Sequence, residues 1–179
     1  MNRSARRREH TFSVLVENQP GVLTRVAGLF SRRAFNIESI VVGQTEDPRY
    51  SRMTLVVVGD EAEVEQVSKQ LHKLIEVIRI SELLPGEMVE RELALIKVSA
   101  DRTNRSEILQ LIHVFRANVV DVSEKTMIVE VTGDTQKVSA IVEVLKPFGI
   151  REIVRTGRVG VTRGGKPSQG GDEPTLAVV

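Results

Sequence analysis

The sequence predicts an α+β fold made of two successive βαββαβ units, and three observations support this prediction. Short segments in which apolar and polar residues alternate are typical of half-buried strands. Longer segments with apolar residues at helical spacing separate them, and the order strand, helix, strand, strand, helix, strand occurs twice in 179 residues. The turn-forming run Leu84-Pro85-Gly86-Glu87 lies between the two occurrences.

The first unit begins with an alternating strand that ends at the turn Asn18-Gln19-Pro20-Gly21. The helix after this turn has its apolar residues on one side, with Arg25, Arg32 and Arg33 mostly on the other. The predicted elements of the first unit are a strand at 10–17, a helix at 21–36, strands at 37–44 and 52–58, a helix at 64–75 and a strand at 77–83. The predicted elements of the second unit are a strand at 93–98, a helix at 108–115 with Asn104 as its cap, strands at 119–122 and 127–131, a helix at 138–145 and a strand at 150–154.

Composition indicates where the two units begin and end. Residues 1–9 are basic and are expected to be disordered, whereas residues 10–84 form the first unit. A linker at 85–91 leads to the second unit at 92–160. The segment 161–179 is rich in glycine, proline and polar residues, so a mobile tail is expected there.

The order of elements also predicts how each unit packs. A four-stranded antiparallel sheet with both helices on one face, a ferredoxin-like arrangement, is the natural packing for this order. The other sheet face then needs cover, because the strands at 37–44 and 52–58 are strongly apolar and a monomer rarely exposes a large apolar face. We therefore expect another subunit to supply that cover, and the chain to be at least a homodimer.

Composition argues against several classes of protein. A net charge of +1 and 3% aromatic residues argue against nucleic-acid binding. The absence of cysteine excludes disulfides, thiol catalysis and cysteine-ligated zinc. The basic start runs into a strand without the apolar stretch of a secretory signal, and no apolar run is long enough for a membrane span. We therefore expect a cytoplasmic protein.

The sequence contains no recognisable catalytic or cofactor-binding motif. Its three histidines are scattered without the spacing of metal ligands. No phosphate-binding loop occurs, and the glycines between residues 157 and 165 do not open an apolar helix. We therefore expect no catalytic residue, no metal site and no cofactor on this chain.

The first strand-to-helix turn is the one segment with a positive chemical interpretation. The N-terminal end of a helix presents unpaired N–H groups that suit a carboxylate. Gly21 lets a ligand approach the backbone closely, and Asn18 can both donate and accept hydrogen bonds. This combination suits a free α-amino acid, although a simple turn with a capping residue explains the same residues. Asn36, at the other end of the helix, fits an ordinary helix stop.

These two motifs and the helix that joins them resemble an ACT domain, a small-ligand sensor found in many enzymes of amino-acid metabolism. The segments ENQPGVLTRVAGLFSRRAFNIES, DPRYSRMTLVVVGDE, KQLHKLIEVIRISEL and MVERELALIKV are similar, in order and spacing, to the acetolactate synthase small-subunit family. They extend over most of residues 10–99. The part from 108 to 165, which includes IREIVRTGRVGVTRG, is similar more loosely.

The resemblance implies a regulatory subunit without an active site of its own. In this family a branched-chain amino acid, usually valine, binds between two ACT domains of a dimer. The matching positions are Asn18, Gly21 and Val22 on one subunit, with Asn36 and Ile37 on its neighbour. The signal passes to a catalytic subunit that uses thiamine diphosphate, magnesium and FAD. The free regulatory subunit is also expected to activate that partner.

Two alternatives stay open at this point. An ACT-domain sensor could serve a different enzyme or a transcriptional circuit, and co-purification of a thiamine-dependent subunit would distinguish these functions. A self-contained enzyme is the second alternative, because a fold does not by itself define a function. The sequence does not separate valine from leucine or isoleucine, since one methylene in an apolar pocket is worth only about 1–3 kcal/mol.

Overall fold

The computed structural model describes residues 7–33 and 35–164, which form two βαββαβ units and one additional strand. The elements of the first unit are β1 (Arg8–Glu17), α1 (Val22–Arg32), β2 (Ile37–Gln44), β3 (Tyr50–Gly59), α2 (Glu61–Leu71) and β4 (Val77–Leu83). Next come β5 (Met88–Ser99), α3 (Arg105–Val114), β6 (Asn118–Val122), β7 (Thr126–Gly133), α4 (Thr135–Leu145), a 3-10 turn (Lys146–Phe148), β8 (Ile150–Arg155) and β9 (Val159–Thr162).

The first sheet has the strand order β2-β3-β1-β4, and all neighbouring strands in it are antiparallel. On one face of the sheet, the pairs Phe12 with Leu55 and Val14 with Met53 lie opposite each other across the two central strands. Helices α1 and α2 cover this face, because their apolar residues belong to the same buried cluster. The helix members of that cluster are Val22, Val26, Leu29, Phe30, Val64, Val67 and Leu71. The predicted fold of the first unit is confirmed.

The second sheet repeats this arrangement with the order β6-β7-β5-β8, again antiparallel between neighbours. Ile96 lies opposite Val129 across the central strands, and both are fully buried. Residues of α3 and α4 complete this core, namely Ile108, Ile112, Val138, Ile141 and Leu145. The two units therefore share one topology, as the repeated order of elements predicts.

The second face of the first sheet differs from the expectation. Strand alternation places Thr11, Ser13, Thr54, Val56 and Ser81 on this face, and all five are buried within the single chain. Four of them are small polar residues, so the face is less apolar than the runs of valine in the sequence suggest. The expected cover by another subunit, and the homodimer with it, stay predictions.

The boundaries of the elements also differ from the expectation in three places. Arg8 and Glu9, expected to be disordered, pair with β3 as the first residues of β1. The expected linker at 85–91 is already strand from Met88 onwards. The expected tail from 161 begins in β9, which pairs with β5. Backbone pairing between segments distant in sequence creates each of these additions. The expectations for 1–6 and 165–179 fall outside the described residues.

The described residues divide into two compact units. One contains the described residues up to Val89 together with those from Gly160, and the other contains Glu90–Val159. Within the first unit, the Arg163 N–H donates to the Glu87 carbonyl at 2.7 Å, and Arg163 Nε donates to the Met88 carbonyl at 2.9 Å. The segment around β9 therefore belongs to the first unit, although it follows the second unit in sequence.

Candidate effector site

Asn18 lies where β1 ends, and the loop between β2 and β3 holds it in place. Its backbone N–H donates to the Arg49 carbonyl at 2.7 Å, and its side-chain Nδ2 donates to the Pro48 carbonyl at 3.0 Å. Because Nδ2 faces a carbonyl, the other side-chain atom, Oδ1, is the acceptor that Asn18 presents elsewhere. Asn18 is exposed, so a ligand can reach that oxygen.

The loop that holds Asn18 has its own internal hydrogen bonds. Asp47 Oδ1 accepts from the backbone N–H of Arg49 at 2.9 Å and from its Nε at 3.0 Å. Hydrogen bonds from the Arg49 side chain and backbone hold the pKa of Asp47 below its ordinary value. The stretch 45–49 between two predicted strands is expected to be a hairpin loop, and the pair Asp47-Pro48 favours a turn there. The sequence does not show that this loop holds Asn18.

Gly21 occupies the N-cap position of α1 with φ +84°, in the left-handed region that favours glycine. As a glycine, Gly21 has no side chain with which to cap this helix end. The amides of Leu23 and Thr24 in its first turn have no backbone acceptor among the described residues. The first turn therefore offers N–H donors to a bound anion, as the motif predicts. Val22 has its side chain in the core at 3% exposure, so only its backbone faces this turn.

Asn36 and Ile37 lie beyond the other end of α1. The helix ends at Arg32, four residues earlier than the predicted end, and the Phe35 N–H bonds to the Phe30 carbonyl instead of continuing the helix. Asn36 Nδ2 donates to Glu38 Oε1 at 2.6 Å, and Ile37 packs against the core.

The five candidate residues therefore divide into two groups within one chain. Asn18, Gly21 and Val22 are together at the start of α1, whereas Asn36 and Ile37 follow its end. An α-helix rises 1.5 Å per residue, so α1 separates the groups by about 16 Å. One free amino acid is too small to contact both groups of the same chain, and a single site containing all five needs a second copy.

The other polar groups of interest have structural partners. Nδ1 of the buried His10 lies 2.7 Å from Glu82 Oε1, and His72 Nδ1 lies 2.9 Å from the Ser68 carbonyl. No cluster of three histidine, aspartate or glutamate side chains that could hold a metal ion occurs in residues 7–33 and 35–164. In the same part of the chain, no helix has the length and apolarity needed to cross a membrane.

The start of α3 differs from the expectation that Asn104 caps this helix. Asn104 occupies the cap position, but its side chain makes no capping hydrogen bond. Its Oδ1 accepts instead from the Asp101 N–H at 2.9 Å. Residues 100–104, which precede α3, contain no glycine. The second unit thus lacks the glycine turn that the first unit has at the corresponding helix start.

Two antiparallel βαββαβ units, the first with a glycine turn at the start of α1, define an ACT-type regulatory fold. Family models agree along the chain. Residues 12–79 match the model described as the AHAS small subunit-like ACT domain, and residues 91–164 match the model described as the small subunit of acetolactate synthase.

Known proteins give the same result over nearly the whole chain. The acetolactate synthase small subunit of Mycobacterium leprae is 56% identical over 155 residues, which cover 87% of this chain and 92% of the relative. That of Mycolicibacterium smegmatis is 54% identical and covers 87% and 91%. The crystal structure of the acetolactate synthase small subunit from Thermotoga maritima superposes with a TM-score of 0.82 at 46% identity, covering 89% and 99%. The chain belongs to the acetolactate synthase small-subunit family.

Proposed function

We propose that this chain activates an acetolactate synthase catalytic subunit and confers feedback inhibition by a branched-chain amino acid, with valine as the first candidate. The single observation that supports this most is the intact first turn of α1, in a chain that belongs to this family. Asn18 presents a free acceptor, and Gly21 opens the helix start to a ligand. Asn36 is also present at its expected position.

The proposed site joins two copies of the chain. The effector carboxylate accepts hydrogen bonds from the first-turn amides of α1, and its ammonium group donates to Asn18 Oδ1. Asn36 and Ile37 come from the neighbouring copy, with Ile37 beside the apolar side chain of the effector. The separation of the two groups along α1 supports this shared arrangement.

The catalytic machinery belongs to the partner in this proposal. Thiamine diphosphate, magnesium and FAD are bound by the catalytic subunit, and this chain contributes neither a catalytic residue nor a metal ligand. We assign effector binding to the first unit, and contact with the catalytic subunit mainly to the second, whose first helix lacks a Pro-Gly turn. We place the complex in the cytoplasm, which is compatible with a sequence free of cysteine.

Inhibition follows if the effector binds one arrangement of the dimer more tightly than another. An effector held by two copies favours the dimer arrangement in which both sets of contacts are made. If that arrangement supports less catalysis in the partner, binding of the effector lowers activity, and the coupling is reciprocal in the binding equilibria.

The proposal is tested by titrating the activity of the reconstituted synthase with L-valine, L-leucine and L-isoleucine. Asn36→Ala removes the proposed hydrogen bond from Asn36 to a charged group of the effector, which is worth about 1.5–3 kcal/mol. The inhibitory concentration of the effector should therefore rise roughly ten- to a hundredfold. Asn118→Ala is the matched control, because Asn118 also donates from Nδ2 to a glutamate, at 3.3 Å, but lies in the second unit.

The two possible failures of this experiment are distinguishable. If none of the three amino acids inhibits the wild-type complex, the proposed regulation is wrong. If they inhibit both variants and the wild type equally, the regulation stands but Asn36 does not belong to the site.

A further inference from the structure

The Arg25 side chain lies directly beside Gly21. Side chains on an α-helix lean towards its N-terminus, and Arg25 follows Gly21 by four residues, one turn later. The Arg25 N–H donates to the Gly21 carbonyl at 3.0 Å. Its guanidinium atom Nη1 lies 3.0 Å from the position that a Cβ on Gly21 would occupy. The guanidinium therefore fills the space that the missing side chain of Gly21 leaves open.

Glu76 holds the guanidinium in this position. Arg25 Nη2 lies 2.8 Å from Glu76 Oε1, and the Glu76 side chain is only 17% exposed. The Glu76 carbonyl also accepts from the Glu17 N–H at 2.9 Å, so Glu76 is tied to the residue that precedes Asn18. The Arg25–Glu76 ion pair thus connects the start of α1 to the end of β1.

Most of the hydrogen-bonding capacity of Arg25 remains unused. A guanidinium has five N–H donors, and no hydrogen-bond acceptor for Nε or Nη1 is found among residues 7–33 and 35–164. The side chain is 44% exposed, and Nη1 lies beside Gly21, so a ligand can reach the guanidinium there. A planar guanidinium with free donors matches a carboxylate, which can accept two parallel hydrogen bonds from it.

We infer that Arg25 binds the effector carboxylate and that Glu76 positions Arg25 for this contact. The inference rests on the proposed function, because it adds a charged group to the site assigned to the first turn of α1. Gly21 then has a second purpose besides its backbone conformation. It leaves room for the guanidinium, and the carboxylate is held jointly by Arg25 and the amides of Leu23 and Thr24.

The test compares Arg25→Gln with a matched control on the same helix, Arg32→Gln. Each full-length variant is titrated by calorimetry with L-valine and with L-valinamide, which keeps the ammonium group and lacks the carboxylate. Loss of a charged hydrogen bond should weaken valine binding by Arg25→Gln about tenfold or more. Valinamide binding by this variant, and both affinities of Arg32→Gln, should match the wild type. Arg25→Lys keeps the charge without the planar fork and should restore part of the valine affinity.

Each outcome separates the inference from the proposed function. If wild-type protein binds valine and Arg25→Gln binds it equally well, Arg25 does not contact the carboxylate, although the effector site stands. An equal loss of affinity for valine and valinamide would mean that Arg25 only maintains the local structure. If wild-type protein binds none of valine, leucine and isoleucine, the proposed function fails and the inference fails with it. Circular dichroism shows whether each variant is folded. If Arg25→Gln does not fold, the valine affinity of Arg25→Lys is used to test the contact between Arg25 and the carboxylate.

Discussion

Gly21 meets two separate requirements at the start of α1. Its φ of +84° lies in a region that costs other residues roughly 1 kcal/mol or more. The absence of a side chain also leaves space for Arg25, whose Nη1 would lie 3.0 Å from an added Cβ. A substitution at this position therefore strains the backbone and displaces the guanidinium at the same time.

We predict that Gly21→Asp removes feedback inhibition while leaving activation of the catalytic subunit intact. The new carboxylate repels the carboxylate of the effector and pairs with Arg25, so it competes for the same donors. The measurement is synthase activity of the reconstituted complex across a valine series. Gly86→Asp is a close control, because Gly86 also has a positive φ, +85°, and nothing lies within 4 Å of an added Cβ. Normal inhibition of the Gly21→Asp complex would place the effector elsewhere.

Asp47 supports the effector site indirectly, because it stabilises the loop that holds Asn18. We predict that Asp47→Ala weakens effector binding about two- to fivefold, the range expected when an exposed ion pair is lost. Glu46→Ala, an exposed neighbour in the same loop, should have no effect. Calorimetry with valine measures both affinities, and equal losses in the two variants would refute the role of Asp47. Because the pKa of Asp47 is lowered, its contribution persists at neutral pH and disappears only in acid.

Local chemistry explains which site residues the sequence could reveal. Asn18 and Gly21 are neighbours in a turn, and their types alone indicate a cap and a left-handed backbone. The helical spacing places Arg25 only on the polar side of its helix, since nothing local in the sequence shows that Glu76 is its partner. That contact joins residues 51 positions apart in the sequence, and pairings of this kind become visible only when the chain is folded.

At the scale of elements, two helices begin at aspartate caps. Asp60 Oδ1 accepts from the Glu63 N–H at 2.9 Å, and the Glu63 side chain accepts from the Asp60 N–H, which completes a capping box. In the second unit, Asp134 Oδ1 accepts from the Lys137 N–H at 2.7 Å. These two caps occupy the same position in the repeated topology.

We predict that Asp60→Ala and Asp134→Ala each lower the free energy of unfolding by about 1 kcal/mol, the usual cost of losing an N-cap. Asp60→Ala should act on the first unit and Asp134→Ala on the second. Chemical denaturation monitored by circular dichroism gives the totals, and amide hydrogen exchange shows which unit opens more often. Glu61→Ala, at a side chain 91% exposed, is the control and should stay within about 0.5 kcal/mol. If each variant raised amide hydrogen exchange equally in both units, the two units would unfold together.

Periodicity accounts for the elements that the sequence predicts well, and long-range pairing accounts for those it does not. The central strands and all four helices follow from their apolar spacing. β9 is only four residues long and lies among glycines that indicate a loop, so the local sequence does not predict its pairing with β5. Arg8 and Glu9 are also not predicted as strand, because their polar side chains are typical of a disordered terminus. Their strand conformation comes from pairing with β3.

At the scale of the whole molecule, the edge of the first sheet gives a structural reason for a dimer. β2 is an outer strand, and its exposed apolar residues Ile40 and Val42 lie on the strand that begins at Ile37. Exposed edges with apolar side chains favour pairing with another chain. A second copy that pairs there would also bring its own Asn36 and Ile37 to the boundary between the two copies, where the proposed effector site requires them.

We predict that the isolated chain sediments as a dimer or larger species at micromolar concentration, and that Val42→Lys shifts it towards monomer. Lysine on an edge strand opposes pairing, because its charge would have to be desolvated between the two strands. Ile75→Lys is the matched control, since Ile75 is 89% exposed but lies outside the strand. Because the effector is proposed to bind across two copies, valine should drive Val42→Lys back towards dimer by mass action. A wild-type chain that stays monomeric at saturating valine would rule out a site shared between copies, whereas a dimer unaffected by Val42→Lys would place the interface away from β2.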